Sequence, residues 1–170
     1  MDIPVLGVAG YSGSGKTTLI CNLIKILKEK GIRTAVIKHD VHGISEDDDT
    51  KDTGRFRRAG ACLVKLCCGR GEIEEEKRML DAAIAEVSGA AADIDIILVE
   101  GFKRLPIPKL GIARRATGKG LCSARSGFLA VVSDVYEPDK ELRQFALDDY
   151  DGICEFVMER SISERRVLYL

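Results

Sequence analysis

The sequence predicts an α/β domain: a mainly parallel β-sheet with helices packed on its faces. Three observations carry that prediction. Segments 5–9, 32–39 and 93–102 contain continuous apolar stretches (VLGVA, AVI and IILV), as in strands buried on both sides. They alternate with segments of helical periodicity, the order of a parallel sheet covered by helices. A glycine-rich loop separates the first strand from the first helix.

Val5 to Ala9 ends at Gly10 and reads as a buried strand. The next helix is expected over 16–30, where Leu19, Leu23, Ile26 and Leu27 form one apolar stripe and Gly31 is the stop. IRTAVIKH is a second strand. DVHGISEDDDTKDTG is a polar loop, and a short helix is expected from Lys51 to Ala59. ACLVKLCC is a third strand. Residues 72–88 form an amphipathic helix with Ile73, Leu80, Ile84 and Val87 on one face, and Glu74, Glu75 and Glu76 suit its positive end. DIDIILVEGF, KLGIAR and GFLAVVSD supply further strands, and Asp148 to Glu159 a closing helix. No repeat or low-complexity linker divides the chain, so residues 1–170 are expected to form one domain.

Charge is balanced, with 26 Lys and Arg against 27 Asp and Glu. A formal net charge of −1 provides no global attraction to nucleic acid or to an anionic membrane, so an anion site has to be local. No apolar run approaches the ~20 residues that span a bilayer, and no leader-like segment opens the chain, so a cytoplasmic location is expected. The six cysteines make no CxxC pair and read as reduced, mostly buried small hydrophobes.

The glycine loop explains itself chemically. Gly10-Tyr11-Ser12-Gly13-Ser14-Gly15-Lys16-Thr17 satisfies GxxxxGK[ST], between a buried strand and a helix. Wrapping a polyphosphate in backbone N–H groups requires close approach and unusual dihedrals, and the helix adds its positive end. Gly10, Ser12, Gly13, Ser14, Gly15, Lys16, Thr17 and Thr18 are therefore the candidate nucleotide-binding residues. Lys16 is placed to reach the β- and γ-phosphates, and Thr17 to ligate Mg²⁺.

Ligands of open α/β sheets bind outside the carboxyl ends of the strands. Glu100 ends a strand after a run of apolar residues, and Asp40 ends the second strand. Either carboxylate can hold Mg²⁺ or orient a water, which makes Lys16, Asp40 and Glu100 the catalytic candidates and Thr17, Asp40 and Glu100 the metal candidates. Asp134 ends another strand, where a carboxylate can accept from guanine N1–H and the exocyclic amine together. Arg55, Arg57 and Arg58, then Lys103, Arg104, Lys109, Arg114 and Arg115, form two basic groups. Solvated charge is their ordinary reading; the alternative, since both follow segments expected at the active edge, is that they bind a second anionic group on a substrate or partner. His39, His42, Lys51, Asp52, Arg55 and Lys103 are candidates for a second anion or a partner.

Four segments then carry a family resemblance: GYSGSGKTTL, IKHDVHGISEDDDTKDTGRFRRAGA, IILVEGFKRLPIPKLGIAR and LAVVSD with the terminal helix. In them the chain resembles the MobB family, the accessory protein B of molybdopterin-guanine dinucleotide synthesis. It departs from the family's common pattern at Val41 and Thr50, and Asp47 to Asp49 are unusually acidic. The resemblance implies a P-loop NTPase-like, GTP-binding homodimer with slow Mg²⁺-dependent hydrolysis. Its implied partner is the molybdopterin guanylyltransferase, with molybdopterin a further candidate ligand. It also implies that Gly10 to Thr18 bind phosphates and Mg²⁺, with Asp40 and Glu100 near the metal. His39, His42, Lys51, Asp52, Gly101, Phe102 and Lys103 match further motif positions. The alternatives are a small-metabolite kinase using ATP or GTP, with Arg55, Arg57 and Arg58 as a lid, and a nucleotide-gated binding module without meaningful turnover.

Overall fold

The computed structural model describes residues 3–41, 52–91, 93–122, 127–135 and 142–163. Its strands are β1 (Val5–Ala9), β2 (Thr34–Asp40), β3 (Leu63–Cys68), β4 (Ile96–Glu100), β5 (Lys109–Ala113), β6 (Phe128–Ser133) and β7 (Arg143–Phe145). The α-helices are α1 (Lys16–Glu29), α2 (Gly54–Ala59), α3 (Ile73–Ala90) and α4 (Tyr150–Met158). One sheet takes the seven strands in the order β3-β2-β4-β1-β5-β6-β7, with every neighbouring pair parallel. The predicted class is the observed one.

The continuous apolar strands follow from burial on both faces. β1, β4 and β5 are buried throughout. Strand pleating sends Leu6 and Val8 into a core with Leu19, Leu23 and Leu27 of α1 and Ile153 and Phe156 of α4. Val5 faces the other way, into a core with Leu80, Ala83 and Val87 of α3 and with Phe102 and Leu105. Gly7 shares that second face, where an added Cβ would lie 3.0 Å from Lys109 Cβ and 3.1 Å from Ile107 Cδ1. Its smallness lets the segment between β4 and β5 cross close over β1.

Helix boundaries have local causes. α1 opens after Gly15 in a left-handed conformation and is stopped by Gly31 at φ 78°. α3 carries a capping box, in which the Glu72 and Glu75 side chains serve each other's backbone N–H groups. At α4 the Asp149 side chain accepts from Gly152 N–H.

Three differences from expectation are informative. β7 is a three-residue edge strand, RQF, in which only Phe145 is buried, so it carries no hydrophobic run. α2 starts at Gly54 rather than at Lys51, and Lys51 lies outside the described residues. All six cysteines are free thiols, but Cys21, Cys67 and Cys154 are buried, Cys68 and Cys122 half-buried and Cys62 exposed, so burial holds for only half of them.

The β4–β5 segment is anchored by an ion pair. Arg104 Nη2 donates to Glu76 Oε1 at 2.6 Å, and the Glu76 side chain is 5% exposed. Arg104→Ala leaves that carboxylate buried without its cation and should cost about 1–3 kcal/mol in urea denaturation. Replacing both residues with leucine should recover part of the loss, because removing a buried pair costs less than breaking it.

Candidate nucleotide-phosphate site

Because the sheet is parallel, Ala9, Asp40 and Glu100 end on the same edge, and the glycine loop emerges there. β1 and β4 are adjacent with Val8 opposite Glu100, and β2 lies on the far side of β4 with Lys38 opposite Glu100. Three strand ends therefore bring their chemistry to one place.

Gly13 and Gly15 take φ of 77° and 100°, the left-handed region that favours glycine. Nothing lies within 4 Å of a Cβ added at Gly13, so the loop is open on that side. At Gly10 an added Cβ would come within 2.5 Å of Ser14 Oγ and of Ile112 Cγ2, so glycine is needed there for packing. The Ser14 hydroxyl is buried with no hydrogen-bond partner, an orphaned polar atom inside the loop. Lys16 Nζ donates to the carbonyls of Gly10 at 3.1 Å and Tyr11 at 3.0 Å, which lays the ammonium across the loop mouth.

Beside it, Thr17 Oγ1 donates to Glu100 Oε2 at 3.0 Å. Glu100 is 6% exposed. Burial pushes its pKa above the ordinary carboxylate value, against the opposing pull of Lys38, Lys16 and the Thr17 hydrogen bond. Burial likewise lowers the Lys16 pKa, with Glu100 the main opposing influence.

Lys38 lies at this edge too, although it was not among the candidate site residues. Its Nζ donates to Asp52 Oδ2 at 2.5 Å, and its side chain is 13% exposed. Burial works against the Lys38 ammonium, yet the Asp52 hydrogen bond and the charges of Glu100, Asp52 and Asp40 outweigh it and raise its pKa. Strand alternation puts Lys38 on the face of Asp40, but only the β2–β4 pairing sets it in register with Glu100. Asp52 also lies 3.6 Å from Arg55 Nη1, while Arg55 Nη2 donates to Thr18 Oγ1 at 3.3 Å. α2 is thereby tied to the first turn of α1.

The other candidates sit as follows. His39 Nε2 donates to the Gly69 carbonyl at 2.8 Å, and the ring stacks on Phe102 at 4.1 Å between centroids. Phe102 is buried at φ 46°, next to Gly101 at φ 99°. Asp134 Oδ1 accepts from Arg115 N–H at 2.7 Å, at the end of β6, two strands away from β1. Lys109 is 2% exposed, not a solvated charge. Its Nζ donates to the carbonyls of Lys103, at 3.2 Å, and Leu105. His42 lies outside the described residues.

The donor set fits a Mg²⁺-bound polyphosphate. A hydroxyl and a carboxylate in contact are hard oxygen donors, and Mg²⁺ takes one or two of these plus phosphates and waters. Among the described residues no group of three or more His, Cys, Asp and Glu is arranged to hold a metal, so an all-protein cage is not formed there.

The model of the family described as Molybdopterin guanine dinucleotide synthesis protein B matches residues 5–134. The chain belongs to that family. A molybdopterin-guanine dinucleotide biosynthesis adapter protein of Escherichia coli K12 is 34% identical over 165 residues, covering 92% of this chain and 93% of that protein. The Haemophilus influenzae adapter protein is 37% identical over 135 residues, covering 78% and 76%. The crystal structure of Bacillus subtilis MobB matches with a TM-score of 0.60 at 23% identity, over 94% of this chain and 98% of that one. The fold is P-loop NTPase-like in form, a parallel sheet with the glycine loop between β1 and α1, and it is shared with that structure.

Burial of Glu100 has a pH signature. Well below its unfolded pKa the group is protonated in both states, so Glu and Gln are equivalent. As pH rises the unfolded chain releases the proton first, and stability falls until the raised folded pKa is passed. Glu100→Gln should therefore gain stability relative to the unaltered protein as pH rises above the ordinary carboxylate value, read from urea midpoints at acid and at neutral pH. A difference that is flat or shrinks with pH would contradict the burial argument.

Proposed function

We propose that this chain is a GTP-binding adapter in molybdopterin-guanine dinucleotide biosynthesis, with slow Mg²⁺-dependent GTP hydrolysis. The observation that carries the reading is the Thr17–Glu100 contact beside a glycine loop of the GxxxxGK[ST] form. Membership of the family, and the adapter proteins aligned with nearly the whole chain, support the pathway.

In this reading the N–H groups of Gly13 to Thr18 and the Ser14 hydroxyl hold the phosphates, and Lys16 turns from the loop carbonyls to the β- and γ-oxygens. Thr17, Glu100 and Asp40 would hold Mg²⁺, whose charge would stabilise the phosphoryl group. Asp40 or Glu100 orients the attacking water. Lys38 favours the ionised form of Glu100, in opposition to its burial. Asp134, with one carboxylate oxygen on Arg115 N–H, has the other for guanine. Arg55 is held by Asp52 and Thr18 as a strut rather than as a finger at the transferred phosphate, which agrees with slow turnover. A cytoplasmic homodimer that delivers GTP chemistry to the guanylyltransferase is the corresponding cellular picture. Among the described residues no helix is long and apolar enough to cross a membrane.

Calorimetric titration with GTP and ATP, each with Mg²⁺, tests the proposal. GTP should bind more tightly, Lys16→Ala should abolish tight binding of either triphosphate, and Asp134→Ala should erase the preference for GTP. Equal or tighter ATP binding would favour a metabolite kinase, and unchanged affinity in Lys16→Ala would remove the loop from nucleotide binding altogether.

A further inference from the structure

Glu100 is followed at once by a turn of unusual backbone. Among the described residues Phe102, at φ 46°, is the one non-glycine residue with positive φ. A bulky side chain is strained there, and such strain persists only where the surroundings over-determine it. Part of those surroundings is the ring of His39, which lies on the Phe102 ring at 4.1 Å between centroids and 10° from parallel. We propose that His39 is a positioning residue for the metal end of the nucleotide site, its ring bracing the Gly101–Phe102 turn so that the Glu100 carboxylate stays aimed at Thr17. The proposal rests on the nucleotide reading of the loop.

The side of the sheet on which His39 sits separates it from the loop. Glu100 reaches Thr17 of α1, and Lys38 is in register with Glu100, so Lys38 and Asp40 share the α1 side. His39 alternates to the other side. Its register partner Cys67 lies in the core beneath α3, together with Phe102 and Leu105. Any influence of the ring on the Glu100 carboxylate therefore passes through the backbone of the turn.

Both ends of this brace are fixed. His39 Nε2 donates to the Gly69 carbonyl at 2.8 Å, and Gly69 N–H donates to the Asp40 carbonyl at 3.0 Å, which holds the ring between the ends of β2 and β3. A carbonyl only accepts, so Nε2 carries the proton. On the other side, Gly101 N–H donates to the Val8 carbonyl at 3.3 Å, and Leu105 N–H to the Phe102 carbonyl at 3.0 Å. Gly101, at φ 99°, lets the end of β2 lie close: an added Cβ would sit 3.0 Å from His39 Cβ and 3.1 Å from the His39 carbonyl oxygen. Phe102 is buried, so its ring has no solvent side to move to. Four strand ends, of β1 to β4, are thereby joined around the residue that follows Glu100. Groups that orient a metal ligand without touching the metal commonly govern how well the metal is held.

The test measures binding of the β,γ-imido analogue of GTP to the whole chain, first with chelator and then across a Mg²⁺ titration. His39→Gln keeps a donor for the Gly69 carbonyl and loses the stack, whereas His39→Phe keeps the stack and loses the donor. His39→Gln should raise the half-saturating Mg²⁺ concentration about tenfold or more, the usual scale for losing a group that orients a metal ligand. His39→Phe should stay within about threefold of the unaltered protein, and Mg²⁺-free affinity should stay within about threefold in both variants. An unchanged Mg²⁺ requirement in His39→Gln, or an equal rise in the two variants, overturns the proposal. A larger fall in the Mg²⁺-free affinity of His39→Gln, misfolding included, assigns the ring to the general integrity of the site and overturns it too. Failure of the analogue to bind the unaltered protein is seen before either variant is measured and removes the nucleotide reading, and the positioning role with it.

Discussion

The Thr17–Glu100 hydrogen bond is the contact on which the rest of the site depends. It joins residues 83 apart in sequence across 3.0 Å, and it forms only because β1 and β4 are neighbours in one parallel sheet. The parallel sheet sets the strand ends on a common edge, and the glycine loop turns the chain there so that α1 begins beside Glu100. The α1 stripe of Leu19, Leu23 and Leu27 then locks the helix onto the sheet, so packing in the core determines where the Thr17 hydroxyl points. Fold and candidate chemistry meet in that one contact.

Around it the protein holds a charge balance in a half-dry place. Lys16 and Lys38 stand against Glu100 and Asp52, and burial opposes the charged form of Lys16, Lys38 and Glu100. Such an arrangement adds little to stability by itself, since desolvation offsets attraction. Its value lies in pre-organisation: charges that would bind a metal and a polyphosphate are already fixed before either arrives. The Lys38–Asp52–Arg55–Thr18 chain extends the same network to α2.

Much of this was legible in the sequence, wherever the signal was local. The glycine loop, the α1 stripe, the unalternating strands and the Glu100 strand end are patterns within one element, and each lies where its pattern put it. What escaped is non-local or atypical. Lys38 and Asp52 are 14 residues apart, and nothing short of the β2–β4 register says that the lysine serves Glu100. β7 is too short and polar to show a period. Lys109 looks like a solvated basic residue, yet it is buried because its head satisfies two carbonyls of the crossing segment, a use of lysine that composition cannot announce. His39 was a candidate for a second anion or a partner by residue type, and what sequence could not announce is its setting, the Gly69 carbonyl and the Phe102 ring.

The central claim is that Thr17 and Glu100 form the metal end of a polyphosphate site. Its most direct measurement is the affinity of a fluorescent GTP derivative with Mg²⁺ and with chelator, in the unaltered protein and in Thr17→Val. The account predicts that Mg²⁺ tightens binding to the unaltered protein and that this gain disappears in Thr17→Val, with Mg²⁺-free affinity retained. Affinity indifferent to Mg²⁺ in the unaltered protein, or an undiminished Mg²⁺ effect in Thr17→Val, would contradict it.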